Sequence, residues 1–193
     1  MTRHVYKAVI FDLDGVLTDT AHYHFLAWKK LAAGCGIELD EAFNERLKGV
    51  DRMGSLELIL ALSPHHYTPE QKLKMAEAKN NHYLQLIKDM SPADLMPGAL
   101  ASLQALRREN ILIGLASASR NALSVLTSLE ILDCFDTVVD AAKISHGKPD
   151  PEIFLTAAQQ LNVQACECLG VEDSLAGISA IKAAGMAAHD KAK

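Results

Sequence analysis

The chain has 193 residues, a hydrophobic share of 49%, a charged share of 22% and a net charge of −5, which suits a globular protein of one domain, with or without a modest insert. The acidic balance and the lack of a long basic run argue against a nucleic-acid partner, and no apolar run approaches the roughly 18 residues of a membrane span. An acidic chain that handles phosphate must concentrate its positive charge locally, through Lys, Arg, metal or backbone N–H groups.

Residues 1–7 are polar and lead into a strand, so they are not expected to act as a secretion signal; a cytoplasmic monomer is the expectation. Residues 7–11 form a short apolar run ended by Asp-Leu-Asp-Gly, which reads as a buried strand and a turn. From 18 to about 91 the pattern is helical. Residues 20–33 carry Ala21, Phe25, Trp28, Leu31 and Ala32 at helical spacing, and further helices are predicted over 40–47, 55–62 and 68–87. The last of these opens on Thr68-Pro69-Glu70, a capping residue followed by proline at the first helical position. The spacing then predicts a helix over 98–108, a strand over 111–116, a helix over 121–129 and a short strand over 137–140. A helix over 151–161, a strand over 168–171 and a helix over 174–184 ending at Gly185 complete the series. Alternating strands and helices imply an α/β fold, a parallel sheet wrapped by helices. Residues 1–17 and 93–193 are the expected core, and residues 18–92 a helical cap inserted after the first strand. Cys166 and Cys168 alternate on an apolar run and are expected to share one buried strand face, with Cys35 and Cys134 likewise in a reducing compartment.

Ligands of open parallel sheets bind beyond the carboxyl ends of the strands. Asp12, Asp14 and Gly15 follow the first strand. Ser117, Ala118, Ser119, Arg120 and Asn121 follow the second, Asp140 and then Lys148-Pro149 the third, and Glu172 and Asp173 the fourth. The topology would bring these acids to one rim. Two like charges about 4 Å apart repel by roughly 4 kcal/mol at an effective dielectric of about 20. A hard divalent cation resolves that repulsion, and Mg²⁺ is the usual choice where phosphate is also a ligand. A single Asp-Gly turn is an ordinary loop feature; the four-part arrangement in this order is not.

The run Phe11-Asp12-Leu13-Asp14-Gly15-Val16 resembles the first motif of the haloacid dehalogenase superfamily. Ser117 is similar to its second motif, Lys148-Pro149-Asp150-Pro151 to its third, and Gly170-Val171-Glu172-Asp173-Ser174 with Ala176-Gly177 to its fourth. The resemblance implies a Rossmannoid sheet core with an inserted cap. It implies that Asp12 is the nucleophile that forms an aspartyl phosphate, and that Asp14 is the general acid and base. Mg²⁺ would be held by Asp12, the Asp14 carbonyl, Glu172 and Asp173, and the phosphoryl oxygens by Ser117 and Lys148.

The cap narrows the resemblance. Asp19-Thr20-Ala21-His22-Tyr23-His24-Phe25 with Ala27-Trp28, then Phe43-Asn44-Glu45, Leu47-Lys48-Gly49-Val50 with Arg52 and Ser55, and Lys79-Asn80 are similar to the β-phosphoglucomutase branch. So are Ser91-Pro92-Ala93-Asp94 with Pro97-Gly98 and the run 115–121, where Arg120 stands in place of an expected Lys. That resemblance implies substrate contacts for Lys48, Gly49 and Val50. Arg52 would grip the phosphate that is not transferred, with Ser119 and Asn121, flanked by Ala118 and Arg120, holding it in the other orientation. Lys79 and Ser55 would contact the sugar, and Thr20 and His24 would help position Asp14 when the cap closes. The implied substrates are glucose phosphates, interconverted through β-glucose 1,6-bisphosphate.

One segment departs from the pattern. Residues 186–193 contain no β-branched residue and three charges, so a buried strand is not predicted there. The strand carrying Glu172 and Asp173 would then lie at an open sheet edge, with low stability and association through that edge. An active mutase, a sugar-phosphate phosphatase on the same core and a folded chain of low activity all remain open at this point.

Overall fold

In the computed structural model, which describes residues 6–47 and 50–191, the chain opens on β1 (Ala8–Phe11) and continues into α1 (Ala21–Gly34), α2 (Glu41–Glu45), α3 (Arg52–Leu60) and α4 (Pro69–Leu86). Then come α5 (Ala99–Arg108), β2 (Leu112–Leu115), α6 (Ala122–Ser128), β3 (Thr137–Val138), α7 (Glu152–Gln160), β4 (Cys168–Glu172), α8 (Leu175–Ala183) and β5 (Ala187–Asp190). The chain divides into two units, Met1–Asp19 with Met90–Lys193, and Thr20–Asp89.

In the first unit the described residues form a five-stranded sheet in the order β3-β2-β1-β4-β5, and every pairing is parallel. β1 is central and buried at all its positions, which explains its unbroken apolar run: both of its faces are covered. Ala8 and Ile10 pack with Ile153 and Phe154 of α7 and with Ala180 and Ile181 of α8. Val9 and Phe11 alternate to the opposite face. The strand order reverses at β1, so the crevice beyond its carboxyl end is the ligand position that such a sheet offers.

In the second unit, Phe25, Trp28 and Ala32 of α1 pack with Leu56 and Ile59 of α3 and Ala76 of α4. The Thr68 side chain and Gln71 make a reciprocal capping box at the start of α4, with Pro69 in its first turn. α3 begins at Arg52, ahead of the expected start at 55, because the Asp51 carboxylate accepts from Met53 N–H and Gly54 N–H and caps the helix there.

Two expectations are corrected. Cys166 is exposed and only Cys168 is buried, because a short 3₁₀ turn at Ala165–Glu167 precedes the strand. The tail is a strand: β5 pairs with β4 from Leu169↔Ala187 to Glu172↔Asp190. Its stabilisation comes from the backbone ladder and from its start. Gly185 takes φ +76°, and Met186 is buried with Ile181 and Ala184, while Ala188 packs against the same cluster. β-branched side chains are not required where small alanines cover a helix. The strand that carries Glu172 therefore has neighbours on both sides, and the expected open edge beside it is absent.

Candidate active site

Asp12 leaves the end of β1 with its N–H donating to Val171 O at 3.0 Å, which keeps it in register with β4. The chain then turns tightly: Gly15 N–H donates to Thr18 O at 2.8 Å and Leu17 N–H to Leu13 O at 2.9 Å. Thr18 is buried, and its hydroxyl donates to Asp94 O at 2.8 Å. Gly15 is needed at the turn. Its φ is +76°, and a side chain there would overlap the Asp173 carboxylate. Asp14 is half-buried on this turn.

Glu172 ends β4 and is almost fully buried. Its Oε2 accepts from Asp173 N–H and Ser174 N–H, each at 2.7 Å. Ser174 in turn caps α8 by accepting from Gly177 N–H at 3.0 Å. Lys148 arrives from the segment between β3 and α7, and its ammonium donates to Asp12 Oδ1 at 2.6 Å and Glu172 Oε1 at 2.7 Å. It also stands 5.1 Å from the Phe154 ring centroid.

These charges do not balance. Burial opposes charge on Lys148, but the Asp12 and Glu172 carboxylates outweigh it and raise its pKa. Burial also opposes the ionised Glu172, yet Lys148 and the Ser174 N–H hold its pKa below the usual carboxylate range. Asp12 is pushed up to about 7, first by burial and then by Glu172 and Asp14, against the pull of Lys148. One lysine thus satisfies Glu172 and leaves Asp12 short of positive charge. Asp12, Glu172 and Asp173 each offer a carboxylate oxygen, all within 4.8 Å of one another. Three hard oxygen donors with surplus negative charge fit a hard divalent cation. The glycines fit it too, since a methyl group on Gly177 would overlap Glu172 Oε1. Gly177→Ala is expected to displace Glu172. Overpacking of this kind costs about 1–3 kcal/mol, which at about 2–4 °C per kcal/mol lowers Tm by roughly 2–12 °C. Thermal melting and calorimetric titration with Mg²⁺ check this; unchanged Tm and affinity would show that Glu172 can move freely.

Ser117 is buried at the end of β2. Its Oγ accepts from Ser119 N–H at 3.1 Å, and Ser119 Oγ accepts from Asn121 N–H at 3.2 Å. The two serines therefore shape the loop 117–121 and keep their hydroxyl protons available. Ala118 is half-buried on this loop, and Arg120 is exposed.

Within the second unit a separate polar cluster forms. Lys79 is 4% exposed, and its Nζ lies 2.7 Å from His24 Nδ1. The His24 ring stacks on Tyr83 at 4.1 Å, and the Lys79 ammonium lies 4.5 Å from the Trp28 ring and 5.1 Å from the Tyr83 ring. Burial, then Lys79 and Arg52, drive the His24 pKa well below its ordinary value. His24 is therefore neutral, with Nδ1 accepting from Lys79 and the proton on Nε2. Arg52 donates to Asn80 Oδ1 at 2.7 Å. The Ser55 hydroxyl donates to Val50 O at 3.4 Å, and Thr20 is buried where α1 begins. Lys48 and Gly49 lie outside the described residues. The helical spacing that includes Trp28 reads as core packing and does not foresee that its ring faces the Lys79 ammonium; Lys79 and Tyr83, four residues apart on α4, were the available signal.

Lys191 was also missed. Its N–H donates to Glu172 O at 2.8 Å, and its ammonium donates to Val16 O, on the turn that carries Asp14. Nothing in the pattern of residues 186–193 marks it, because the role depends on β5 lying beside β4.

Residues 6–185 match the family model of haloacid dehalogenase-like hydrolases. The chain is 53% identical to the β-phosphoglucomutase of Bacillus subtilis, over 93% of this chain and 80% of that one. It is 33% identical to a phosphorylated carbohydrates phosphatase of Thermotoga maritima, over 93% and 82%. The crystal structure of β-phosphoglucomutase from Clostridium difficile superposes with a TM-score of 0.92 at 49% identity, covering 95% of this chain and 83% of that one. An acid-rich crevice at the β1 switch point, one lysine spanning two of its carboxylates and a match over nearly the whole chain lead to one assignment: the chain belongs to the haloacid dehalogenase-like hydrolase family.

Proposed function

We propose that the protein is a β-phosphoglucomutase, interconverting β-D-glucose 1-phosphate and glucose 6-phosphate through β-glucose 1,6-bisphosphate. The observation that carries this reading is the 53% identity to the Bacillus subtilis β-phosphoglucomutase, against 33% for the Thermotoga phosphatase.

Asp12 acts as the nucleophile. Its carboxylate oxygen bonds to phosphorus as the donor P–O bond breaks, which leaves an aspartyl phosphate. Asp14 gives a proton to the departing sugar oxygen and later accepts one from the sugar hydroxyl that attacks the aspartyl phosphate. Ser117 and Lys148 hold the transferring phosphoryl oxygens, a fixed frame for a charge-rich transition state. Mg²⁺ is the proposed cation, held by Asp12, the Asp14 carbonyl, Glu172 and Asp173; when bound it screens the nucleophile from the anionic phosphate.

The bisphosphate has to react at either end, so its distal phosphate needs a grip in both orientations. Arg52 is the proposed grip for one. Ser119 and Asn121, with Ala118 and Arg120 beside them, are proposed for the other. Lys79 and Ser55 are assigned to the sugar, Thr20 and His24 to positioning Asp14, and Lys48, Gly49 and Val50 to substrate contacts. Among the described residues no helix is long and apolar enough to cross a membrane, and the reading extends to a cytoplasmic monomer acting on small sugar phosphates.

An assay with β-glucose 1-phosphate, Mg²⁺ and a trace of bisphosphate tests the proposal by scoring glucose 6-phosphate against free phosphate. Glucose 6-phosphate as the main product supports it; free phosphate as the main product favours a phosphatase. Arg52→Ala is expected to reduce the mutase rate at least about tenfold more than hydrolysis of a small phosphate ester, a difference of about 1.4 kcal/mol, because the ester has no distal phosphate. Equal damage to both reactions would make Arg52 structural.

A further inference from the structure

The segment that carries Lys148 is closed on itself by the Glu152 carboxylate. Glu152 Oε1 accepts from Ser145 N–H at 2.7 Å, and Oε2 accepts from His146 N–H at 2.7 Å. The His146 ring adds Nδ1 at 2.9 Å from Oε2. On the return side, Asp150 Oδ1 accepts from Glu152 N–H at 2.9 Å, and Asp150 N–H donates to Gly147 O at 3.0 Å. Lys148 sits inside this ring of bonds. Glu152 itself stands in the first turn of α7, whose next residues, Ile153 and Phe154, are buried in the sheet core. The carboxylate thus ties a polar connecting segment to a fixed helix.

The ties differ in strength. The His146 side chain is 72% exposed, and an ion pair so exposed contributes little. The two backbone N–H groups donate to an ionised carboxylate, and such charge-assisted bonds are the stronger kind. The Ser145 and His146 N–H groups hold the Glu152 pKa below the usual carboxylate range, with the His146 ring adding to them.

The geometry points to Glu152 as a positioning residue for phosphoryl transfer, acting through Lys148. It fixes residues 145–147 and thereby sets the backbone origin from which the ammonium reaches Asp12 Oδ1 and Glu172 Oε1 together. This inference rests on the reading of Lys148 as the cation of the phosphoryl site. Glutamine at position 152 keeps the size but replaces one acceptor oxygen with an NH₂ group that faces a backbone N–H, so one end of the segment comes loose.

The test compares wild type with Glu152→Gln, Glu152→Asp and His146→Ala. Turnover of β-glucose 1-phosphate, Tm and the ¹⁵N resonance of the Lys148 ammonium are followed, the resonance assigned by its absence from Lys148→Met. Glu152→Gln is expected to lower kcat about tenfold or more, since a misplacement of about 1 Å can cost about 10²-fold. Its Tm should fall by a few degrees, as one charge-assisted bond is lost, and the ammonium signal expected of buried Lys148 in wild type should vanish. His146→Ala is expected to change kcat less than about twofold, as an exposed pair contributes little. Glu152→Asp, which keeps two acceptors, is expected to recover part of the ammonium signal. Persistence of that signal in Glu152→Gln overturns the inference, whatever happens to turnover, and so does an unchanged kcat. The ammonium signal needs no sugar phosphate, so a failure of the mutase assignment would appear in the product assay and leave this readout intact.

Discussion

Asp12→Asn is expected to remove turnover almost completely, by about a thousandfold or more, equivalent to roughly 4 kcal/mol of transition-state stabilisation. An amide oxygen is a poor nucleophile toward phosphorus, and it brings no charge to a divalent cation shared with Glu172 and Asp173. The loss should not come from unfolding. In wild type the Asp12 carboxyl is pushed up from 3.8 to about 7, mainly by burial. A folded-state pKa above the unfolded one gives a contribution to stability that is fully present below the unfolded value and lost as pH rises through about 7. The neutral amide lacks that loss, so without metal the variant should gain on wild type between about pH 4 and pH 7 and hold the gain above. Two measurements check this: steady-state rates, and intact mass after exposure to the bisphosphate, which should show a phosphoryl adduct on wild type only. A retained rate above about a tenth of wild type, a difference under about 1.4 kcal/mol, would mean that Asp12 is not the nucleophile.

Much of the core was legible because its signals are local. The apolar run before Asp-Leu-Asp-Gly reads as a buried strand, and β1 is the central strand. Capping chemistry gave the start of α4 at Thr68-Pro69, and Asp12, Lys148 and Glu172 meet as their places after the strands required. The misreadings lie where long-range pairing outweighs local preference. Residues 187–190 carry alanine, histidine and aspartate, yet they form β5, because β4 presents an open ladder and Met186 seats the turn against α8. Propensity scales describe side-chain packing on a half-buried surface and say little about a short strand of alanines held mainly by its backbone. The same long-range placement hid Lys191 beside the Asp14 turn. Glu152 has local partners, six and seven residues away, but its two shortest bonds go to backbone N–H groups, which leave no trace in a residue pattern.

Lys148→Met should show how the site manages its charge. Methionine keeps the length and can rest on the Phe154 ring, a contact that thioethers make favourably, so the change removes little except the ammonium. Lys148 is 3% exposed beside Asp12, and Glu172 is 2% exposed at its side chain. Removing one partner from a buried ion pair typically costs about 3–5 kcal/mol, because the other charge is left uncompensated. At about 2–4 °C per kcal/mol for a chain of this size, Tm in the presence of EDTA should fall by roughly 6–20 °C. Saturating Mg²⁺ should then recover more of the Tm for the variant than it adds to wild type. A cation that binds only the folded state stabilises in proportion to the logarithm of its occupancy ratio, and in the variant it meets the Asp12, Glu172 and Asp173 carboxylates without a competing ammonium. Turnover should stay low even in Mg²⁺, since no side-chain cation from the Lys148 segment then holds the transferring phosphoryl group. Melting curves with EDTA and with Mg²⁺ for both proteins decide the matter: equal Mg²⁺ shifts in wild type and variant would show that Lys148 and the cation do not share the same negative charge.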